Sequence, residues 1–329
     1  MSLESNSAKL SFLPHPDALS VLKQDPFINT LSEIKELVPL SDGVAHYVYR
    51  LKVDDKFFFL KIRGSHFPKL PDISINPDDI KNEYKALTIY GSLLPDNFPQ
   101  VISFNSKGHY LIISDATFNG ELFQETLLRG DVTREMVFNL GKTLKKIHAS
   151  ITEYTEDLRD EGDGAHYDNK LLHRFGFAKN NGLEEMVEKL KRGKKQLILG
   201  DPAPKNIGVN NNGSLFVFFD LEDVHQGNPV FDYGYLLGHI ILHSCLTPEK
   251  ALDLIDGYAD GYGESSYDED TVKKIALGTI RYRLAGKIPY PDHNIPSDLR
   301  SPILNRIESA LQADLKGIDW STLLNYIAA

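Results

Sequence analysis

Cysteine is nearly absent from the chain: Cys245 is the only one. A single thiol excludes an intramolecular disulfide and any metal site built from several thiolates of one chain, and it points to the cytosol. Long apolar runs are missing too. The most apolar stretch, residues 233–246, is interrupted by Gly238, His239, His243 and Ser244 and is too short to span a bilayer. The first residues lack a basic segment followed by an apolar one, so no secretory signal is expected. Positive charge is in deficit, with 36 Lys and Arg against 46 Asp and Glu and a formal net charge of −10. That balance argues against general binding to nucleic acid or anionic membranes. It is compatible with a cationic substrate, but plain solubility is the preferred reading. No internal repeat and no extended low-complexity segment is present.

What is present is an ordinary globular composition, 41% hydrophobic and 25% charged. At 329 residues two lobes are expected rather than one core. From Ile34 onward, aromatic and β-branched runs are bounded by Ser41-Asp42-Gly43 and by Asp54-Asp55, a pattern of antiparallel strands with tight turns. The turn at Gly43 reads as a simple hairpin or as a loop whose backbone N–H groups cradle phosphates. Lys61 lies within the apolar strand Phe57-Phe58-Phe59-Leu60-Lys61-Ile62. Alternation either puts it on a solvent face or leaves it to meet a phosphate and a partner carboxylate. Residues 63–79 hold Gly64, Pro68, Pro71 and Pro77 and read as an irregular loop. A helix then runs to about Tyr90 and carries Glu83. A second hairpin ends at Ile112-Ile113, and turn residues from Ser114 to Gly120 mark the lobe boundary, giving lobes of residues 1–115 and 116–329.

The second lobe reads as mainly helical. Residues 131–150 form its clearest helix, capped by Asp131 or Thr133, with Val137, Leu140, Leu144 and Ile147 as the apolar stripe. His148 at its end reads as a satisfied core or cap histidine. Residues 155–182 are polar and read as a surface excursion. A short helix at about 183–191 and a strand at 196–199 deliver Leu199-Gly200-Asp201-Pro202-Ala203-Pro204-Lys205-Asn206. A hairpin around residues 210–213 then ends at Asp220. Helices are expected from about 230, from Pro248, at about 269–284 and at about 302–315.

Taken in order, a turn glycine, a strand lysine, a helix glutamate, Asp201, Asn206 and Asp220 resemble the aminoglycoside phosphotransferase and choline kinase group. These are small-molecule kinases of α+β, protein-kinase-like fold, with an antiparallel-sheet N-lobe and a mainly helical C-lobe. The group's His-Gly-Asp, four residues, Asn loop is similar to Leu199-Gly200-Asp201 through Asn206, with Leu199 in place of the histidine. Residues 140–148 resemble its helix ending in Leu-His, and Gly227-Asn228-Pro229-Val230-Phe231-Asp232 resembles its Gly-Asp-Pro…Asp segment. The resemblance runs from about residue 37 to 245.

The resemblance implies ATP and magnesium as cofactors and a small molecule with a hydroxyl as acceptor. It implies that Gly43 and its neighbours cover the phosphates, and that Lys61, held by Glu83, binds them. Residues 112–115, Ile113 and Asp115 among them, offer backbone groups to adenine. Asp201 acts as catalytic base, Asn206 and Asp220 bind magnesium, and Asp232 braces the loop. The substituted histidine leaves a nucleotide-binding pseudokinase as the alternative. For the acceptor two hints compete. The acidic positions Asp253, Asp256, Asp260, Glu264, Asp268, Glu269 and Asp270 suit an amine or are a solvated face. Arg281-Tyr282-Arg283 with Lys287 suits a carboxylate, a phosphate or a sugar.

Overall fold

The structure is a computed structural model that describes residues 18–30, 34–40, 46–68, 70–117, 121–154, 158, 165–175, 182–263, 267–286 and 293–329. Gly43, Glu264 and Lys287 lie outside the described residues. The chain divides into two compact units, Met1–Ile89 with Pro99–Asp115, and Tyr90–Phe98 with Ala116–Ala329. Residues 90–98, which the sequence assigns to the first lobe, thus pack with the second unit. Among the described residues no helix is long and apolar enough to cross a membrane.

The first unit opens with the short helices α1 (Ala18–Gln24) and α2 (Pro26–Asn29). Its strands are β1 (Ile34–Leu40), β2 (Tyr47–Val53), β3 (Lys56–Ile62), β4 (His66–Phe67) and β5 (Leu70–Ser74). Then come α3 (Ile80–Leu93), β6 (Val101–Asn105) and β7 (Tyr110–Ser114). Five strands form one antiparallel sheet in the order β1-β2-β3-β7-β6. Tyr49, Leu51, Phe58, Leu60, Ile62, Tyr110 and Ile112 bury together with Leu22 and Ile28 of the first helices. Asp25 ties these parts together. One carboxylate oxygen accepts the Phe27 and Ile28 N–H groups (2.9 and 3.2 Å), and the other accepts the Ser103 and Tyr110 hydroxyls (2.6 and 2.7 Å). The β4–β5 hairpin replaces part of the irregular loop expected at 63–79; the prolines there stand beside its strands or at the first residues of each element, where a missing N–H is tolerated.

The second unit contains α4 (Phe123–Arg129), α5 (Arg134–Ser150), α6 (Ala165–Phe175) and α7 (Glu184–Arg192). Short strands follow: β8 (Gln196–Ile198), β9 (Ile207–Val209), β10 (Phe216–Phe218) and β11 (His225–Gly227). The rest is helical: α8 (Val230–Ser244), α9 (Pro248–Tyr262), α10 (Glu269–Ala285), α11 (Ser297–Leu311) and α12 (Trp320–Ala328). Every residue of α8 is buried, as expected for a helix apolar on most of its circumference, and α10 packs along it. Helix α5 is capped by Thr133, whose hydroxyl accepts the Met136 N–H at 3.3 Å, and it lies against α9.

Two expectations are corrected here. The polar excursion contains helix α6, whose stripe of Leu171, Arg174 and Phe175 is buried although its composition is polar. Pro302 does not begin a helix but sits within α11, which starts five residues earlier.

Candidate active site

In the first unit, strand alternation turns Lys61 away from the hydrophobic core, but not into solvent. Its Nζ lies 2.6 and 2.7 Å from the two Glu83 carboxylate oxygens, and both side chains are buried. Glu83 is on α3, so the helix covers the sheet face opposite the core. His46 joins this group, with Nε2 4.0 Å from Glu83 and 3.3 Å from Arg63 Nη1. Burial, with the charges of Lys61 and Arg63, holds the His46 imidazole well below its usual range, so it stays neutral. Arg63 is anchored in turn by the Asn76 carbonyl at 2.9 Å and by Asp79 at 3.3 Å. Ile113 is buried in β7, paired with Phe59 and Val101, and Asp115 follows the strand half-buried at the unit boundary.

In the second unit, Asp201 stands on the loop between β8 and β9, and buried Asp232 fixes that loop. One Asp232 oxygen accepts the Leu199 N–H at 2.7 Å, and the other accepts the Gly200 N–H at 2.9 Å. His148 Nε2 lies 3.3 Å from the same carboxylate, and its Nδ1 is 2.8 Å from the Tyr262 hydroxyl. His148 is thus a satisfied core histidine, as read from the sequence, and also part of the support under the loop. Gly200 has φ +74°, and a Cβ there would lie 2.2 Å from the Asp223 carbonyl oxygen, so no other residue fits. Leu199 is buried beside this turn, where packing and the Asp232 hydrogen bonds hold the backbone without a histidine side chain.

Asn206 and Asp220 are brought together by the β9–β10 ladder. Ile207 pairs with Phe218, and the Asn206 carbonyl accepts the Phe219 N–H at 3.0 Å, one residue before Asp220. The Asn206 amide nitrogen donates to the Asp201 carbonyl at 3.1 Å, which directs the amide oxygen elsewhere. Asp220 has φ +61°, a left-handed conformation that costs a non-glycine residue roughly 1–2 kcal/mol.

The Asp201 carboxylate has close partners that the sequence did not reveal. Tyr235 of α8 donates its hydroxyl to Oδ1 at 2.9 Å, Arg174 Nη2 of α6 lies 3.2 Å from it, and Arg283 Nη2 of α10 lies 3.6 Å away. Arg283 also donates to the Tyr235 hydroxyl, and at 3.2 Å to His239 Nε2. Asp223 extends the cluster, paired with Lys170 and 3.8 Å from Arg174. Burial alone would raise the Asp201 pKa, but Arg174, Arg283, Lys205 and Lys170 outweigh it and hold the carboxyl far below the usual range. Burial pushes the Tyr235 phenol well up, so it remains a donor. Of the two acceptor hints, the Arg283 one reaches Asp201, whereas Arg281 turns to Glu308 at 3.0 Å. Of the acidic positions, Asp253 and Asp260 pair with the exposed Arg134, and Asp268 with Lys189 at 2.6 Å. Arg174 and Lys170 escaped notice because α6 lies in a segment without a visible apolar period; a basic pair four residues apart, ahead of Phe175, was the available signal.

The family model described as the phosphotransferase enzyme family matches residues 36–273. No curated protein matches the chain. Among solved structures, a choline kinase of Streptococcus pneumoniae is similar at 16% identity and TM-score 0.52, over 89% of this chain and 98% of that one. A choline/ethanolamine kinase family protein of Mesorhizobium loti is 15% identical with TM-score 0.53, over 95% and 98%. An aminoglycoside phosphotransferase of Streptomyces rimosus, solved with ADP and streptomycin, is 14% identical with TM-score 0.53, over 80% and 98%. At such identities the likeness is one of fold, and it agrees with the protein-kinase-like architecture expected from the sequence. The family match spans well over half of the chain, from β1 through the Asp201 loop and into α10, and the chain accordingly belongs to the phosphotransferase enzyme family.

Proposed function

We propose that this phosphotransferase moves the γ-phosphate of ATP to a hydroxyl of a small molecule, with Asp201 as the base that orients and accepts the hydroxyl proton. One observation supports this reading above the others: Asp201 and Asn206 share a loop pinned at both Leu199 and Gly200 N–H by Asp232, and the Asn206–Phe219 bond sets Asp220 beside it. Transfer of a phosphoryl group depends on alignment and charge neutralisation more than on covalent help. A loop held by buried charge-assisted bonds supplies alignment without reorganisation. Lys61, fixed by Glu83, is the residue for the nucleotide phosphates, with Ile113 and Asp115 as backbone contacts for the base and Gly43 over the phosphates.

Asn206 and Asp220 fit magnesium as a hard-oxygen donor pair, because the Asn206 amide nitrogen is already engaged and its oxygen remains to act as ligand. When bound, magnesium would neutralise phosphate charge during transfer. The buried thiol of Cys245, with its pKa raised to about 11 by burial, is unreactive and suits the reducing cytosol.

The test is magnesium-dependent ATP turnover across hydroxyl acceptors, with Asp201→Asn as control. Wild type should transfer phosphate and the variant should lose nearly all of it. Asp220→Ala should weaken binding of magnesium-ATP much more than of magnesium-free ATP. Wild type and Asp201→Asn that bind ATP alike and are equally inert would instead identify a pseudokinase.

A further inference from the structure

The surroundings of Asp201 carry a specificity that goes beyond the family and rests on the role of Asp201 given above. Arg174 has a side chain only 5% exposed, yet among the described residues its Nε and Nη1 have no hydrogen-bond partner. Its guanidinium is held between rings, with the carbon 4.3 Å from the Tyr235 centroid and 5.8 and 5.9 Å from those of Phe231 and Tyr282. Arg283 stands over the same Tyr235 and Tyr282 rings at 5.5 and 5.4 Å. Among the described residues, Asp201 and Asp223 are ion-paired with Lys170, Arg174 and Arg283, three cations to two carboxylates. His239, in contact with Arg283, adds no charge, because burial and Arg283 hold it neutral. Leaving guanidinium N–H groups buried and unpaired is expensive, and a planar cation on aromatic faces is preorganised for an anion's oxygens.

We infer that the phosphate acceptor carries an anionic group, a carboxylate or a phosphate ester, on the same small molecule as its hydroxyl, and that Arg174 with Arg283 holds that group beside Asp201. An amine or quaternary ammonium acceptor would meet the excess positive charge at this point and be repelled. Held by its anion at the two guanidinium groups, the acceptor presents its hydroxyl to Asp201. The hydroxyl proton then passes to Asp201, the hydroxyl oxygen bonds to the γ-phosphorus, and the bond from that phosphorus to the β–γ bridging oxygen breaks, releasing ADP.

The experiment follows the 15Nε resonance of Arg174, assigned through Arg174→Lys, in the full chain. The probes are glycerate, glycerol 3-phosphate, glyceramide and ethanolamine. One or both anions should shift the resonance saturably, while glyceramide and ethanolamine leave it in place; the tighter of the two anions distinguishes carboxylate from phosphate ester. Arg174→Lys keeps the charge but not the fork, and Arg283→Lys does the same on the other side; each should weaken the anion by about tenfold or more, read by calorimetry. A resonance unmoved by both anions, or moved equally by glyceramide, overturns the inference. ATP turnover measured alongside separates it from the broader reading. Asp201-dependent phosphorylation of ethanolamine with Arg174 silent would end the anion proposal and leave the kinase reading standing. Anion binding at Arg174 with no transfer to any acceptor above the Asp201→Asn background would leave the anion site and end the kinase reading.

Discussion

The Lys61–Glu83 pair permits a quantitative test inside the first unit. Their charged atoms are 2.6 Å apart, with Lys61 and Glu83 side chains 6% and 0% exposed. At an effective dielectric constant of about 20, unit charges at that distance attract by roughly 6 kcal/mol. Withdrawing both groups from water offsets much of this, so the net worth of the pair is small. Breaking it is another matter. Glu83→Leu leaves a buried ammonium and Lys61→Met leaves a buried carboxylate, and each should lose about 3–5 kcal/mol. His46, held neutral beside Lys61, offers no negative charge to the ammonium left by Glu83→Leu. The double variant, with an apolar pair of similar volume, should return to within about 1 kcal/mol of wild type. Urea unfolding followed by circular dichroism, on all four proteins, gives the cycle. Losses that simply add in the double variant would show that the two residues are not each other's compensation and would refute the reasoning. The same double variant separates stability from function: folded protein that no longer binds ATP supports the phosphate role given to Lys61.

Two further outcomes are expected. Asp232→Ala strips the acceptor from the Leu199 and Gly200 N–H groups and from His148, so at about 1–3 kcal/mol for each orphaned buried donor, denaturant stability should fall by roughly 3 kcal/mol or more; a loss under about 1 kcal/mol would mean the loop is held by other means. Acid should destabilise the protein well before its carboxylates titrate. Burial lowers His225 and His243 to about 4, from an ordinary value of 6.5. Between those values the unfolded chain binds protons that the folded one refuses, so stability falls as pH drops from 6.5 towards 4, by up to roughly 3 kcal/mol per histidine. Asp201, whose folded pKa is depressed, adds its loss only below about 4. Thermal melts across this range should slope accordingly, and His225→Gln should flatten part of the slope; a melting temperature constant from pH 7 to 4.5 would contradict this.

Much of the candidate site was legible along the chain because its parts are local. Asp201, Asn206 and Asp220 lie within 20 residues, separated by strands whose apolar runs announce themselves. The same holds for the sheet of the first unit and for α5, where period and caps agree. Lys61 was ambiguous for a physical reason. Alternation fixes which sheet face a residue takes, but not what covers that face; here α3 brings Glu83 onto it. Helices α4 and α6 are short and pack on elements distant in sequence, so no local period announces them, and the two-residue strand β4 with the prolines around it hides the β4–β5 hairpin.

The sequence by itself determined the order of chemistry-bearing residues, and through it the family and the loop that Asp201 occupies. Those features depend on spacing along one strand–turn–strand segment. Only the tertiary structure decided what surrounds Asp201. Arg174, Tyr235 and Arg283 come from three helices separated by dozens of residues, and they meet because α8 is buried on every side and α6 and α10 must close around it. No periodicity records such a convergence. It arises from packing, and packing gave the buried carboxylate an excess of cationic neighbours in a chain whose net charge is −10.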